Sequence, residues 1–293
     1  MITELEFKSL ASQGYNRIPL IAEAFADLET PLSLYLKLAY ASGGGKHSFL
    51  LESVVGGERF GRYSFIGLPA QTLLRATGFK TEVVTDEQVV ETHDGNPLDF
   101  IAQYQQRFKV ALRPGMPRFC GGLAGYFGYD AVRFIEPKLA KIEKAGGRPD
   151  PIGTPDILLL QCEELAVIDN LSGRLYLIVY ADPARPEAFH NAKRRLAELG
   201  DQLKYSVIAP AVKRGPSHAV EREFGKADYI AAVLRAKEYI AAGDMMQVQI
   251  GQRLRKRYTE SPLSLYRALR SLNPSPYMYF YDMGEFQIVG ATL

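Results

Sequence analysis

Two short blocks, one near each end of this 293-residue chain, carry side chains with usable chemistry. In the first, Phe49-Leu50-Leu51 ends on Glu52 and Ser53, an acid and a hydroxyl just ahead of Gly56-Gly57. In the second, Asn273-Pro274-Ser275-Pro276 is a proline-stiffened corner that opens onto Tyr277, Met278, Tyr279, Phe280 and Tyr281. The first block offers polar partners for an ammonium and a carboxylate; the second offers an aromatic and thioether wall. Together they would form a pocket for an aromatic amino acid. From spacing alone each block also has a plainer reading of greater weight: a strand running out into a glycine turn, and ordinary core. Arg62, in Gly61-Arg62-Tyr63-Ser64, supplies a cation that either joins the pocket or faces solvent.

Other candidates carry less chemistry. Gly121, Gly122, Gly125 and Gly128 lie among aromatics, with no Gly-Lys-Ser/Thr element after them, so close backbone packing outweighs a phosphate cradle. His47, His93, His190 and His218 are scattered at no metal-ligand spacing. Cys120 and Cys162 sit in apolar stretches, which suits a reduced, cytoplasmic protein better than a disulfide framework. No catalytic Ser–His–Asp or Cys–His set can be assembled.

The elements that must position the two blocks read as follows. Thr3 with Glu6 makes a capping box for a short first helix that Gly14 stops. Residues 18–25 form a strand, and Thr30-Pro31 starts a helix over 32–40. Gly43-Gly44-Gly45 is a flexible break. Strand-like stretches follow at 48–53, 64–67, 71–76, 81–85 and 88–92, then a helix from Pro97 to about Phe108. Residues 119–127 and 157–168 are further strands, and Asp169-Asn170-Leu171-Ser172-Gly173 turns the latter back onto 174–181. A helix from Pro183 to about Lys204 closes the first region. Hairpins outnumber strand–helix–strand units, so the expected fold class is α+β, mainly antiparallel sheets with flanking helices.

The segment after Tyr205 has prolines, a glycine and little periodicity, and marks a domain junction. The expected division is 1–205, a linker at 206–224, and a second region at 225–293 that reads as an incomplete domain. That region opens with a helix over 226–242, capped by Gly243. Met246, Val248 and Ile250 then alternate with Gln247, Gln249 and Gly251, as in a strand with two unlike faces. Ser261-Pro262 starts another helix that must end by Asn273, since Pro274 disfavours helix at the residue before it. Residues 285–290 read as a strand with only Ala291, Thr292 and Leu293 after it, so the chain reads as the front of something longer. That last strand is expected at a sheet edge.

Composition excludes several classes. The chain is 47% hydrophobic and 23% charged, enough to build a core. With 35 basic and 33 acidic residues, nothing favours nucleic acid or a membrane surface. No apolar run approaches the roughly 18 residues of a membrane span, and the acidic start, with Glu4 and Glu6, is not a signal peptide.

Three long motifs, LLESVVGGERFGRYSFIG at 50–67, GGLAGYFGYD at 121–130 and NPSPYMYFYDMGEFQIVG at 273–290, closely resemble the anthranilate synthase component I family. The resemblance runs from about the first helix to the last residue and lacks the family's C-terminal half. It implies chorismate as substrate, a magnesium ion held in that missing half, a glutamine amidotransferase subunit as ammonia source, and L-tryptophan as feedback inhibitor. It places Ser53, Pro276, Tyr277 and Met278 on the family's tryptophan-binding motifs, with Glu52 and Arg62 as neighbours, and so reverses the plainer readings above. The absence of tryptophan from a chain with 17 Tyr and 15 Phe suits an enzyme needed when tryptophan is scarce.

In related chorismate enzymes that add water, the resemblance puts a lysine base where this chain has Gln247. A glutamine takes no proton at neutral pH, so it cannot activate water, whereas unprotonated ammonia is already nucleophilic. This disfavours an isochorismate or salicylate synthase. Aminodeoxychorismate synthase component I, which also carries glutamine there, and a non-catalytic tryptophan-binding module are the alternatives.

Overall fold

Capping chemistry starts the first two helices of the computed structural model, which describes residues 1–41, 44–54, 61–136, 138–139, 150–207 and 215–292. The Gly56-Gly57 turn, Gly43 and part of the 206–224 segment lie outside the described residues. Thr3 and Glu6 form the reciprocal capping box of α1 (Glu4–Ser12). Thr30 caps α2 (Pro31–Leu34), which continues as a wider π-helical turn over Tyr35–Tyr40. That turn buries Tyr35, Leu36, Leu38 and Ala39 together, where an α-helix over 32–40 was expected.

Two compact units make up the chain: Met1–Ala209 with Tyr266–Leu293, and Pro210–Leu265. The first holds a seven-stranded and a five-stranded sheet, and every ladder between named strands is antiparallel. The larger sheet runs β1 (Ile18–Phe25), β10 (Arg174–Ala181), β9 (Glu164–Asp169), β3 (Tyr63–Gly67), β2 (Ser48–Glu52), β13 (Tyr277–Asp282), β14 (Gln287–Thr292). The smaller runs β6 (Gln88–Asp94), β5 (Lys80–Thr85), β4 (Thr72–Thr77), β8 (Ile157–Cys162), β7 (Gly122–Phe127). β14 pairs with β13 over six residues and is the last strand of its sheet.

The strand expected over 157–168 is two strands in two sheets. β8 buries both faces: Leu158, Leu160 and Cys162 enter the core shared by the sheets, and Ile157 and Leu159 pack with Phe100, Ile101 and Tyr104 of α3 (Pro97–Gln106). β9 begins one residue later in the other sheet, with Leu165 and Val167 in the shared core. Glu163 is the joint. Its carbonyl still accepts from the Tyr180 N–H, and its side chain is held by Arg17 and Gln161. An uninterrupted strand cannot pair in both sheets, so the apolar run breaks at its acid.

α4 (Ala188–Gln202) packs on β10 and β1, and Phe189 meets Phe7 of α1 at 5.6 Å between ring centroids. In the second unit, α5 (Lys226–Ala241) has no buried residue, and a two-residue ladder joins β11 (Glu221–Arg222) to β12 (Leu254–Arg255). The alternating stretch 246–251 forms no strand, contrary to the sequence expectation; Met246 is 98% exposed. Among the described residues no neighbouring strand takes its backbone bonds, and alternation without a partner does not make a strand. α6 (Pro262–Leu272) ends where Pro274 required.

Two glycines let aromatic rings lie flat on the sheet. Gly67 pairs with Phe49, and Gly290 with Tyr279; a Cβ on either glycine would stand 2.1 Å from the ring opposite. Phe49 is fully buried, so its ring has nowhere to retreat. Gly67→Ala should therefore destabilise the protein by about 1–3 kcal/mol through overpacking, read as a lowered urea midpoint. An unchanged midpoint would show that the Phe49 ring can move aside.

Candidate functional site

The two sequence blocks meet as neighbouring strands. β2 and β13 pair with Met278 opposite Glu52, Tyr279 opposite Leu51 and Phe280 opposite Leu50. The ladder ends at the Met278–Glu52 pair; beyond it the Val54 N–H donates to the Ser275 carbonyl at 3.1 Å, one residue out of register, which sets Ser53 beside the Pro276–Tyr277 step. On the other side of β2, Leu51 pairs with Phe65, so Tyr63 comes level with Ser53. Ser53 thus lies in a row between Tyr63 and Tyr277, and Tyr277 is half exposed.

Strand alternation then divides the predicted residues between the two faces of the sheet. Ser53 and Tyr277 share the face of Leu51, Phe65 and Tyr279. Glu52 and Met278 share the opposite face, and both are buried. Arg62, just before β3, places its guanidinium 4.9 Å from the centroid of the Tyr63 ring and pairs with Asp169 at 2.9 Å. Asp169 is itself buried. Burial would raise its carboxyl, but Arg62 and the N–H groups of Leu171 and Ser172 more than offset this and hold it below the usual range. Pro276, half-buried, lies beyond the end of β13 at the corner that Ser275 fixes. Ser275 accepts from the Tyr277 N–H at 3.0 Å and bonds the Thr292 carbonyl.

Glu52 has partners that sequence reasoning missed. The Tyr266 hydroxyl donates to Glu52 Oε2 at 2.8 Å, and Arg270 grips both carboxylate oxygens at 2.8 Å through Nε and Nη2. Both oxygens are therefore engaged from within the chain, where a contact to a ligand ammonium was expected. Burial and the adjacent carboxylate push the Tyr266 phenol well above its ordinary range, so it stays a donor. One signal for this cluster was present in the sequence: Tyr266 and Arg270 lie one helical turn apart and so point the same way. Their partner, more than 200 positions earlier, was not legible.

Among the described residues no group of three His, Cys, Asp or Glu side chains could hold a metal ion. No helix among the described residues is long and apolar enough to cross a membrane. Gln247 is exposed in the irregular stretch after α5.

A model of the chorismate binding enzyme family matches residues 49–292. The chain is 51% identical over its whole length to anthranilate synthase component 1 of Neisseria meningitidis serogroup B, and 47% identical over 98% of its length to that of Pseudomonas putida. It spans 58% of each of those proteins. A crystal structure of anthranilate synthase component I from Streptococcus pneumoniae superposes with a TM-score of 0.62 at 25% identity, over 92% of this chain and 57% of that one.

Removing one member of the Glu52 cluster should expose how much the site rests on it. Arg270→Ala should cost about 3 kcal/mol, because a buried carboxylate loses its counter-charge. Glu52→Met combined with Arg270→Met should cost clearly less, since no charge is stranded. Urea unfolding of both variants checks this, and an Arg270→Ala loss under about 1 kcal/mol would mark an ordinary surface pair.

Proposed function

The chain belongs to the chorismate binding enzyme family, and from that premise we propose that it is the front portion of an anthranilate synthase component I. The observation that carries this reading is the 51% identity to a protein of that name over all 293 residues of the chain. The complete protein would convert chorismate and ammonia to anthranilate, pyruvate and water in tryptophan biosynthesis, in the cytoplasm. A C–N bond forms at ring C2 and the C4 hydroxyl leaves as water. The ether bond to the enolpyruvyl group then breaks, releasing pyruvate as the ring becomes aromatic. A glutamine amidotransferase subunit, anthranilate synthase component II, would supply the ammonia. Magnesium, when bound by groups outside the described residues, would hold the substrate carboxylate and spread developing charge. Gln247 supports ammonia rather than water as nucleophile, since an amide cannot act as general base.

Residues 1–293 would by themselves be inactive, consistent with their covering 58% of that relative. Their own part is regulation. We place L-tryptophan at the row Tyr63–Ser53–Tyr277, with its carboxylate toward the Ser53 hydroxyl and Arg62 and its indole against Pro276 and Tyr277. Met278 lies on the far face and would serve through its backbone. Glu52 would keep Ser53 in place, held as it is by Tyr266 and Arg270.

The test joins residues 1–293 to the remainder of the Neisseria meningitidis protein. With chorismate, magnesium and ammonium this chimera should produce fluorescent anthranilate, inhibited by tryptophan. Ser53→Ala should raise the tryptophan needed for half inhibition roughly ten- to a hundredfold, for the loss of one hydrogen bond to a charged group, with uninhibited activity unchanged. Accumulation of 4-amino-4-deoxychorismate instead would overturn the reaction assigned. An unaltered inhibition curve for Ser53→Ala would overturn the site.

A further inference from the structure

A cleft of about 290 Å³, distinct from the Ser53 row, opens where the chain crosses between the two sheets of the first unit. Glu163, the single residue between β8 and β9, lies in its wall. One side of the cleft is apolar, with Phe108, Val110, Leu112 and Leu123. Gly122, also in the lining, is exposed, and a Cβ there would meet nothing within 4 Å, so a flat group has room to lie against the main chain. The volume sits at the small end for ligand clefts, roughly 300–1,000 Å³. It suits one ring rather than a peptide.

The charges in the wall are unequally satisfied. Arg17 bonds Glu163 at 2.9 Å, Asp182 at 3.1 Å and the Asn16 carbonyl at 2.7 Å, and its guanidinium stacks 4.9 Å from the centroid of Phe108. Glu163 is further held by the Gln161 amide at 2.9 Å, and Gln161 in turn accepts from the Tyr104 hydroxyl at 2.6 Å. Arg118, at the exposed rim, has no ion-pair partner among the described residues. Two arginines thus meet two carboxylates, Glu163 and Asp182, but both carboxylates are taken by Arg17, and Arg118 lines the same cleft as the apolar side chains with its charge unpaired among the described residues.

We propose that this cleft is a second small-molecule site, which takes a monocarboxylic acid built on a single planar ring. The carboxylate pairs with Arg118, and the ring lies over Gly122 between the apolar side chains. A charged guanidinium beside an apolar wall selects an anion over its neutral isostere.

The chain's lack of tryptophan makes the test direct. Leu112 is 65% exposed at the rim, so Leu112→Trp introduces a single fluorescent reporter without disturbing the core. In residues 1–293 carrying this change, benzoate should shift the emission saturably, and benzamide should need at least tenfold higher concentration. Adding Arg118→Gln, another exposed position, should weaken benzoate roughly ten- to a hundredfold while circular dichroism stays unchanged. A flat benzoate titration, equal response to benzamide, or equal benzoate affinity in the Arg118→Gln protein would each overturn the proposal. Tryptophan binding to the unsubstituted chain, followed by the ligand's own fluorescence, tests the Ser53 site separately. Either site can fail without the other.

Discussion

A carboxylate buried at the end of a strand must find a counter-charge, and much of the arrangement around the proposed regulatory site follows from how Glu52 meets that demand. Its desolvation would be prohibitive alone. Tyr266 and Arg270, one turn apart on α6, provide a hydroxyl donor and a two-pronged cation to the same group. The pairing fixes α6 over β2, while β13, which follows α6 after the Ser275 corner, lies against β2 in a ladder of five pairs. The entropy of closing so long a loop grows only logarithmically with its length. A specific buried contact can therefore join distant parts of a chain cheaply at equilibrium, although non-local topologies of this kind fold slowly.

The second constraint is that two sheets share one hydrophobic core and one continuous stretch of chain. β8 and β9 lie in different sheets with only Glu163 between them, so the backbone turns away at that residue. Diverging sheets leave space that side chains must fill or line. Here it is lined by the chain of bonds from Tyr104 through Gln161 and Glu163 to Arg17 and Asp182. Polar groups at the crossover are satisfied among themselves, and the adjoining apolar surface remains accessible. A cleft at that point follows from the topology.

How much of this was legible in the sequence depended on the range of the physics involved. Local signals were reliable: the Thr3 and Thr30 caps, Gly14 and Gly243 as stops, Pro274 as a limit, and β1 with its observed ends. The antiparallel class followed from the hairpins. What failed was non-local. An apolar run from 157 to 168 looks the same whether it serves one sheet or two. Alternation at 246–251 requires a partner strand that the described residues do not offer. Motif resemblance brought Ser53 and Pro276–Met278 to attention, yet not that the sheet would set Met278 and Ser53 on opposite faces. Tyr63 and Asp169 were invisible as neighbours of Ser53 and Arg62, because only register brings them together.

Those opposite faces suggest how a strand can report on a ligand. Ser53 and Glu52 are adjacent in the chain and point to opposite sides of the same sheet. A ligand drawing on Ser53 and its flanking tyrosines acts on backbone that Glu52 shares. Glu52 is held at three hydrogen bonds to α6, so any rotation of the peptide between the two residues is resisted by Tyr266 and Arg270. Binding at the proposed site would therefore do work against the ion pair on the other face wherever it turned that peptide, and the same work would limit affinity. By linkage, whatever loosens the Glu52 cluster would then alter affinity for a ligand at the proposed Ser53 site to the same extent that the ligand alters the cluster. A buried pair of fixed geometry suits this role better than apolar packing would, because its energy changes steeply with small displacements of either partner.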